Sequence, residues 1–319
     1  MTATTAEAAG PPPGPPTPAA PAGRRPRYLA DREGFLGPLL LLPAVVYILA
    51  LVAIPFFLAI GFSLSDVTVG DPSFDYVGLR NFRAVLDDPV FLKALRNSLF
   101  ITVVTMLFVL VLGKVLALVL VKDFRGKWLV RFLVLLPWTT PVSLATIAWL
   151  WLLDSLFSPI DWVLRWLGLL EGNLHWLGND TLAMVSVIAV QVWRIVPLAA
   201  VIISAGLISI PQDINDAADV DGAGFWRKLF QVTIPLTAPV MAVATLFGAI
   251  MVFTDLSVVY VLTRGGPIDA TQTLPTWAFF RGIQGGDLAQ GAAVALFLLP
   301  LLVAMAVLIL RSVRKMETM

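Results

Sequence analysis

The 319-residue chain is 58% hydrophobic, only 13% charged and carries a net charge of +1; with a mean hydropathy of +0.87 it falls outside the soluble globular range and reads as a multi-span membrane protein. A charge so close to neutral leaves no electrostatic footprint for a nucleic acid. With no cysteine, disulfides and thiolate metal sites are excluded while the redox compartment stays open, and the single His175 falls in a predicted loop, as an ordinary surface residue.

Residues 1–34 are rich in Pro, Ala and Gly and end in the basic set Arg24, Arg25, Arg27 and Arg32, a composition expected of a disordered tail. A basic flank before an apolar run also suits a signal peptide. The run over residues 35–64 is, however, far longer than the roughly 7–15 residues of a signal core, so it is expected to be a first, uncleaved transmembrane helix. With about 20 apolar residues needed per span, further helices are expected over residues 98–121, 128–153, 181–207, 234–262 and 288–311. Six spans place both termini on one side. The compact basic clusters Lys122/Arg125/Lys127, Arg227/Lys228 and Arg311/Arg314/Lys315 fall on the side of the basic N-terminal flank, which makes that side, and the tail 312–319, cytoplasmic.

Between the first two spans runs Tyr76-Val-Gly-Leu-Arg-Asn-Phe82, a polar outer segment expected to hold a short helix. Lys114, two turns from the end of the second span, is expected to snorkel toward the cytoplasmic surface. The third span carries Pro137 and Pro141 around Thr139-Thr140, so a kink is expected there, with freed carbonyls needing partners or a cavity. Ser158-Pro159 starts an outer helix by capping and proline preference. Trp162 and Trp166, four apart, suit a helix lying at the membrane interface, and a sugar-stacking platform is the competing reading. The fourth span holds Gln191, Trp193, Arg194 and Pro197. A bilayer arginine should face protein or water, so Arg194 either snorkels near the outer interface or pairs with Asp255 of the fifth span.

A polar island separates spans four and five over residues 208–233. Ile214, Ala217, Ala218 and Asp221 share one helical face. Ser209-x-x-Gln212 resembles a capping box, with Pro211 in the first turn. Gly222 is the residue able to take positive φ and end the helix. Phe225, Trp226, Leu229 and Phe230 follow, then Pro235 and Pro239. Two short helices around a glycine corner are expected, with Asp213, Asp216 and Asp219 offering carboxylates to a basic groove. The fifth span ends Asp255…Tyr260-Val-Leu-Thr263-Arg-Gly-Gly-Pro267, an intramembrane acid before a glycine-proline turn. There is no internal repeat of the kind found in many secondary carriers, and no phosphate-binding Gly-x-x-x-x-Gly-Lys-Ser/Thr, so any ATP hydrolysis must reside in another chain.

Asp216-Ala217-Ala218, Asp221-Gly222-Ala223, Ile234-Pro235 and Pro239 together closely resemble the "EAA" loop of ABC importer permeases. The opening Glu is Asp216 here, and Thr233-Ile234-Pro235 departs from the usual Leu-Pro ending. Val77-Gly-Leu-Arg-Asn-Phe82 resembles an element preceding the second core helix of carbohydrate permeases, and Tyr260–Pro267 is similar to the segment after the fifth core helix of the larger maltose-type membrane subunit. The resemblance covers roughly residues 35–311 and implies an all-α integral membrane protein of six transmembrane helices with the type I ABC importer permease fold. It also implies a bacterial inner-membrane location, pairing with a second permease as a heterodimer, two copies of an ATP-binding subunit, and an extracytoplasmic solute-binding protein or lipoprotein. The chain itself is then a sugar-transport subunit rather than an enzyme, with no cofactor or metal. Asp213, Asp216, Ala217, Ala218, Asp221, Gly222 and Ala223 would couple to the ATPase. Solute contacts would fall on Gln191, Ile195 and Leu198, then Gly248, Met251, Val252 and Asp255. Where the family has Ser and two Asn this chain has Gly248, Val252 and Asp255, so the resemblance implies that most of the amides holding maltose hydroxyls are missing. A secondary carrier using Asp255 and Arg194 as an ion or proton relay is the alternative. A membrane enzyme is a third, built on Asp213, Asp216, Asp219 and Asp221, whose helical faces diverge.

Overall fold

The structure, a computed structural model, describes residues 33–71 and 73–317; the Pro-rich segment lies almost wholly outside the described residues. Among these the regular structure is helical, and β-pairing is limited to the isolated bridges Ser65–Tyr76 and Thr68–Asp71. Two compact units divide near Pro55. The first unit holds most of α1 (Glu33–Ser63), which stays helical through Pro38, Pro43 and Pro55. Within this unit its apolar side chains are exposed, as in Leu40 and Tyr47, which is how a helix solvated by lipid should look.

The second unit is a helical bundle. After the short α2 (Arg80–Asp87), α3 (Pro89–Val121) begins well before the expected residue 98. Its start signals are Asp88, whose carboxylate accepts the Val90 amide at 2.8 Å, and Pro89 in the first turn. Hydropathy misses these turns because they carry Lys93, Arg96 and Asn97. In the loop after α3, the Lys127 ammonium, 2.6 Å away, holds the Asp123 carboxyl below its usual range.

The expected third span is two helices, α4 (Lys127–Thr139) and α5 (Val142–Leu152), set 97° apart. The break falls at Thr140, which is driven to extended backbone because a residue before proline is excluded from helical φ/ψ. The Thr140 hydroxyl and amide both donate to the Leu136 carbonyl, at 2.7 and 3.1 Å, closing the end of α4. The outer helix α6 (Pro159–Trp166) is capped by Ser158, and Trp162 and Trp166 stand 62% and 75% exposed. Asp161, fully buried, accepts the Leu174 amide and the Trp176 indole N–H and so pins the following loop to α6. His175 is exposed.

Helix α7 (Asp180–Ile208) starts at Asn179, whose side chain accepts the Thr181 and Leu182 amides. The hairpin helices α8 (Gln212–Val220) and α9 (Phe225–Lys228) follow, then a π-helical turn over Leu229–Thr233 and α10 (Ile234–Phe253). The fifth span does not run unbroken to residue 262. It stops at Phe253, turns through Thr254 and Asp255, and resumes as α11 (Ser257–Leu262). After α12 (Leu274–Phe279) and a second π-helical turn over Phe280–Gln284, α13 (Leu288–Glu317) continues past the expected end at residue 311, into the segment assigned as a tail.

α3, α7 and α10 form the packed centre of this unit, around Met106, Val109, Val187, Ile195, Ile203 and Val252. Without a hydrophobic drive between helices in lipid, close backbone approach supplies the attraction, and small residues permit it. A Cβ placed on Gly113 would lie 3.1 Å from the Ala199 Cβ, and one on Gly248 only 2.9 Å from the Met106 sulfur. Lys114 does not snorkel. It lies 6% exposed between α3 and α10, and its ammonium donates to the Thr237 hydroxyl at 2.8 Å.

Candidate functional site

Two sites emerge from the expected residues: the hairpin between α7 and α10, and a polar cluster in the middle of the bundle. In the hairpin, the expected capping box does not form. Ser209 still belongs to the last turn of α7, its hydroxyl donating to the Gly206 carbonyl at 2.9 Å, and Pro211 alone leads into α8. The far end of α8 closes as a Schellman arrangement. Gly222 takes φ +69°, and the Ala223 amide reaches back to the Ala218 carbonyl at 2.9 Å.

Asp213, Asp216, Ala217 and Asp221 are exposed, whereas Ala218 turns inward at 8% exposure. Asp219 is not free for a basic groove, because Lys228 of α9 holds both its oxygens at 2.9 Å and ties the two limbs together. On the second limb Trp226 and Phe230 stack with 18° between ring planes, and Phe225 meets Trp226 edge-on. All three rings are 60% or more exposed. The hairpin therefore presents acids from one limb and aromatic surface from the other.

The central cluster joins α7 to the break after α10. Arg194 sits equidistant from the two ends of α7 (Asp180–Ile208), a helix long and apolar enough to cross a membrane. Its Nη1 donates to Asp255 Oδ2 at 2.7 Å, with the two side chains 13% and 7% exposed. Asp255 Oδ1 accepts the Gln191 side-chain N–H at 3.1 Å and the Val258 amide at 2.8 Å, so the carboxylate also starts α11. An acid buried in this way is stable only because all three donors converge on it. Gln191 Oε1 and Arg194 Nε are left buried with no protein partner, leaving one acceptor and one donor available.

Of the other expected solute contacts, Ile195, Gly248 and Val252 are buried against neighbouring helices, Leu198 is half-buried and Met251 is exposed. Gly248 is a close-approach position rather than an opening, since Ile195 and Met106 already fill the space beside it. A cavity of about 1090 Å³ between α3, α4 and α7 is lined by Asn97, Phe100, Val104, Met184, Val192 and Trp193 among others, and includes none of the expected solute residues. Sequence reasoning also passed over Asn97. This buried side chain donates to the carbonyls of Asp269, Ala270 and Gln272 and anchors the glycine-proline loop to α3. An amide at the polar start of an apolar helix was the available signal.

A bundle of apolar helices, an exposed acidic hairpin between two of them and a charged pair at their middle define an integral-membrane transport subunit. The family described as the binding-protein-dependent transport system inner membrane component matches residues 109–318, and the chain belongs to that family, as a carbohydrate ABC importer permease of the type I fold. It is 32% identical over 291 residues to the sulfoquinovosyl glycerol transport system permease protein of Agrobacterium fabrum, covering 90% of this chain and 93% of that one. It is 30% identical to the trehalose/maltose transport system permease protein of Thermococcus litoralis, covering 89% and 95%. Among solved structures, a bacterial alginate ABC transporter in complex with an alginate pentasaccharide-bound periplasmic protein matches with a TM-score of 0.74 at 20% identity, over 90% of this chain and 96% of that one. These relatives are named as transport permeases, not enzymes.

Proposed function

We propose that this chain is the permease subunit of an ATP-driven importer that moves a sugar or sugar-like solute into a bacterial cell, with its hairpin docking on a separate ATP-binding subunit. The observation that carries the reading is the hairpin itself. It is short, acidic and aromatic, closed by Gly222, exposed, and joined directly to α7 and α10. Asp213, Asp216 and Asp221 offer carboxylates to a basic cleft, Ala217 and Ala218 allow close approach, and the Gly222–Ala223 turn sets the angle between the limbs. The basic clusters beside the hairpin and the chain ends support a cytoplasmic position for this face. A second permease as heterodimer partner, two ATP-binding subunits and an extracytoplasmic solute-binding protein or lipoprotein complete the assembly.

The solute reading rests on the middle of the bundle. Asp255 is occupied by Arg194, Gln191 and the Val258 amide, so the solute meets what these leave over. A hydroxyl both accepts and donates, which suits the unpartnered Arg194 Nε and Gln191 Oε1. Leu198, Met251 and the buried Ile195, Gly248 and Val252 then shape the surroundings once the helices part. Uptake by the reconstituted importer tests this directly. Gln191→Leu is expected to raise the solute concentration for half-maximal uptake by about tenfold, the loss of one or two hydrogen bonds. An unchanged concentration dependence would remove Gln191 from the solute site.

A further inference from the structure

Lys114 is a buried charged side chain that this reading leaves without a task. It is 6% exposed on α3, and among the described residues no carboxylate lies within ion-pair distance of it. A buried ammonium with only a hydroxyl for a partner is costly, so the contact it makes should matter.

That contact is the last link of a continuous series. Starting at the hairpin, the Lys228 ammonium of α9 holds the Asp219 carboxylate of α8 at 2.9 Å. The Thr233 hydroxyl donates to the Lys228 carbonyl at 3.2 Å, the Thr237 hydroxyl donates to the Thr233 carbonyl at 2.6 Å, and Lys114 donates to the Thr237 hydroxyl at 2.8 Å. The Thr233–Lys228 bond spans the π-helical turn Leu229–Thr233. Pro235 and Pro239 lack the amides that would bond the carbonyls of Gln231 and Pro235. A wide turn with missing ladder bonds yields when pulled. Here side-chain bonds bridge it, and Lys114 fastens the bridged segment to the centre of the bundle.

We propose that Lys114 is a positioning residue that carries displacement of the hairpin across the π-helical turn into α3, an inference that rests on the hairpin's docking role. The relay runs from Asp219 through Lys228, Thr233 and Thr237.

The test is solute moved per ATP hydrolysed in the complete reconstituted importer. Lys114→Met keeps the length of the side chain and deletes its charge. It is expected to lower that ratio by about tenfold while ATP hydrolysis stays close to wild type. Thr237→Val should give the same loss, Thr237→Ser should keep the wild-type ratio, and Lys114→Met with Thr237→Val should be no worse than either alone. A wild-type ratio in Lys114→Met, additive losses in the double variant, or uptake and hydrolysis falling together in step with the amount of subunit would each overturn the proposal. Where Lys114→Met does not accumulate, the comparison of Thr237→Val with Thr237→Ser decides. Absence of ATP-driven uptake in the wild-type assembly would overturn the importer reading instead, a distinct outcome.

Discussion

Arg194 and Asp255 show how a single residue's meaning depends on its partner. Each charge alone in the apolar middle of the bundle would be a severe cost, and together they are one hydrogen-bonded group. Asp255→Leu, which strands Arg194, is expected to destabilise the subunit by about 3–5 kcal/mol. Arg194→Met combined with Asp255→Leu should be less damaging than Asp255→Leu alone, because neither charge is left buried. Thermal unfolding in detergent measures both, and a double variant no better than the single would contradict the pair's account. The pairing was one of two readings open in the sequence, since both residues stood out as charges in apolar runs. Lys114 stood out equally, but its partner lies 123 positions away and is a threonine. A hydroxyl in an apolar helix carries no signal of what it binds, so the sequence favoured the nearer membrane surface.

Among the elements, helix existence was legible from apolar run length, and the hairpin from spacing and the glycine. Breaks were not. Pro137 and Pro141 announced a kink, yet the 97° bend depends on Thr140 closing α4 through its own side chain. The end of α10 was hidden because Phe253-Thr254-Asp255 contains neither proline nor glycine, and the turn is held by Asp255's contacts with another helix. Early starts such as Pro89 are hidden by the polar residues of an outer turn. At this scale, Gly222→Ala forces an alanine into left-handed backbone although nothing crowds its Cβ, which costs about 1–2 kcal/mol. Weaker retention of the ATP-binding subunit during purification is expected, and unchanged retention would argue that the turn tolerates other geometry. Asp161→Ala leaves the Leu174 amide and Trp176 indole without their acceptor, at about 1–3 kcal/mol for each donor that stays buried. Faster proteolysis of the loop between α6 and α7 should report it, whereas wild-type resistance would show that other contacts hold the loop.

For the whole molecule, the family and fold were readable because several short patterns recur at fixed offsets along one chain. The proposed solute positions were less readable for a physical reason. They rest on matching backbone positions, and this subunit fills those positions with Gly248, Val252 and an acid tied to Arg194. In this conformation Ile195, Gly248 and Val252 serve helix packing. Exchange of partners at the middle of the bundle, driven from the hairpin, is what would turn a packed centre into a passage.

The central claim, an importer permease driven through its hairpin, is tested most directly by purifying the chain from its native membranes with and without Gly222→Asp and identifying what accompanies it. The account predicts that the wild-type chain brings an ATP-binding subunit and a second permease and, once reconstituted with the extracytoplasmic binding protein, takes up solute only with ATP. Gly222→Asp should lose most of that uptake. Recovery of the chain alone, still transporting solute without ATP, would contradict it.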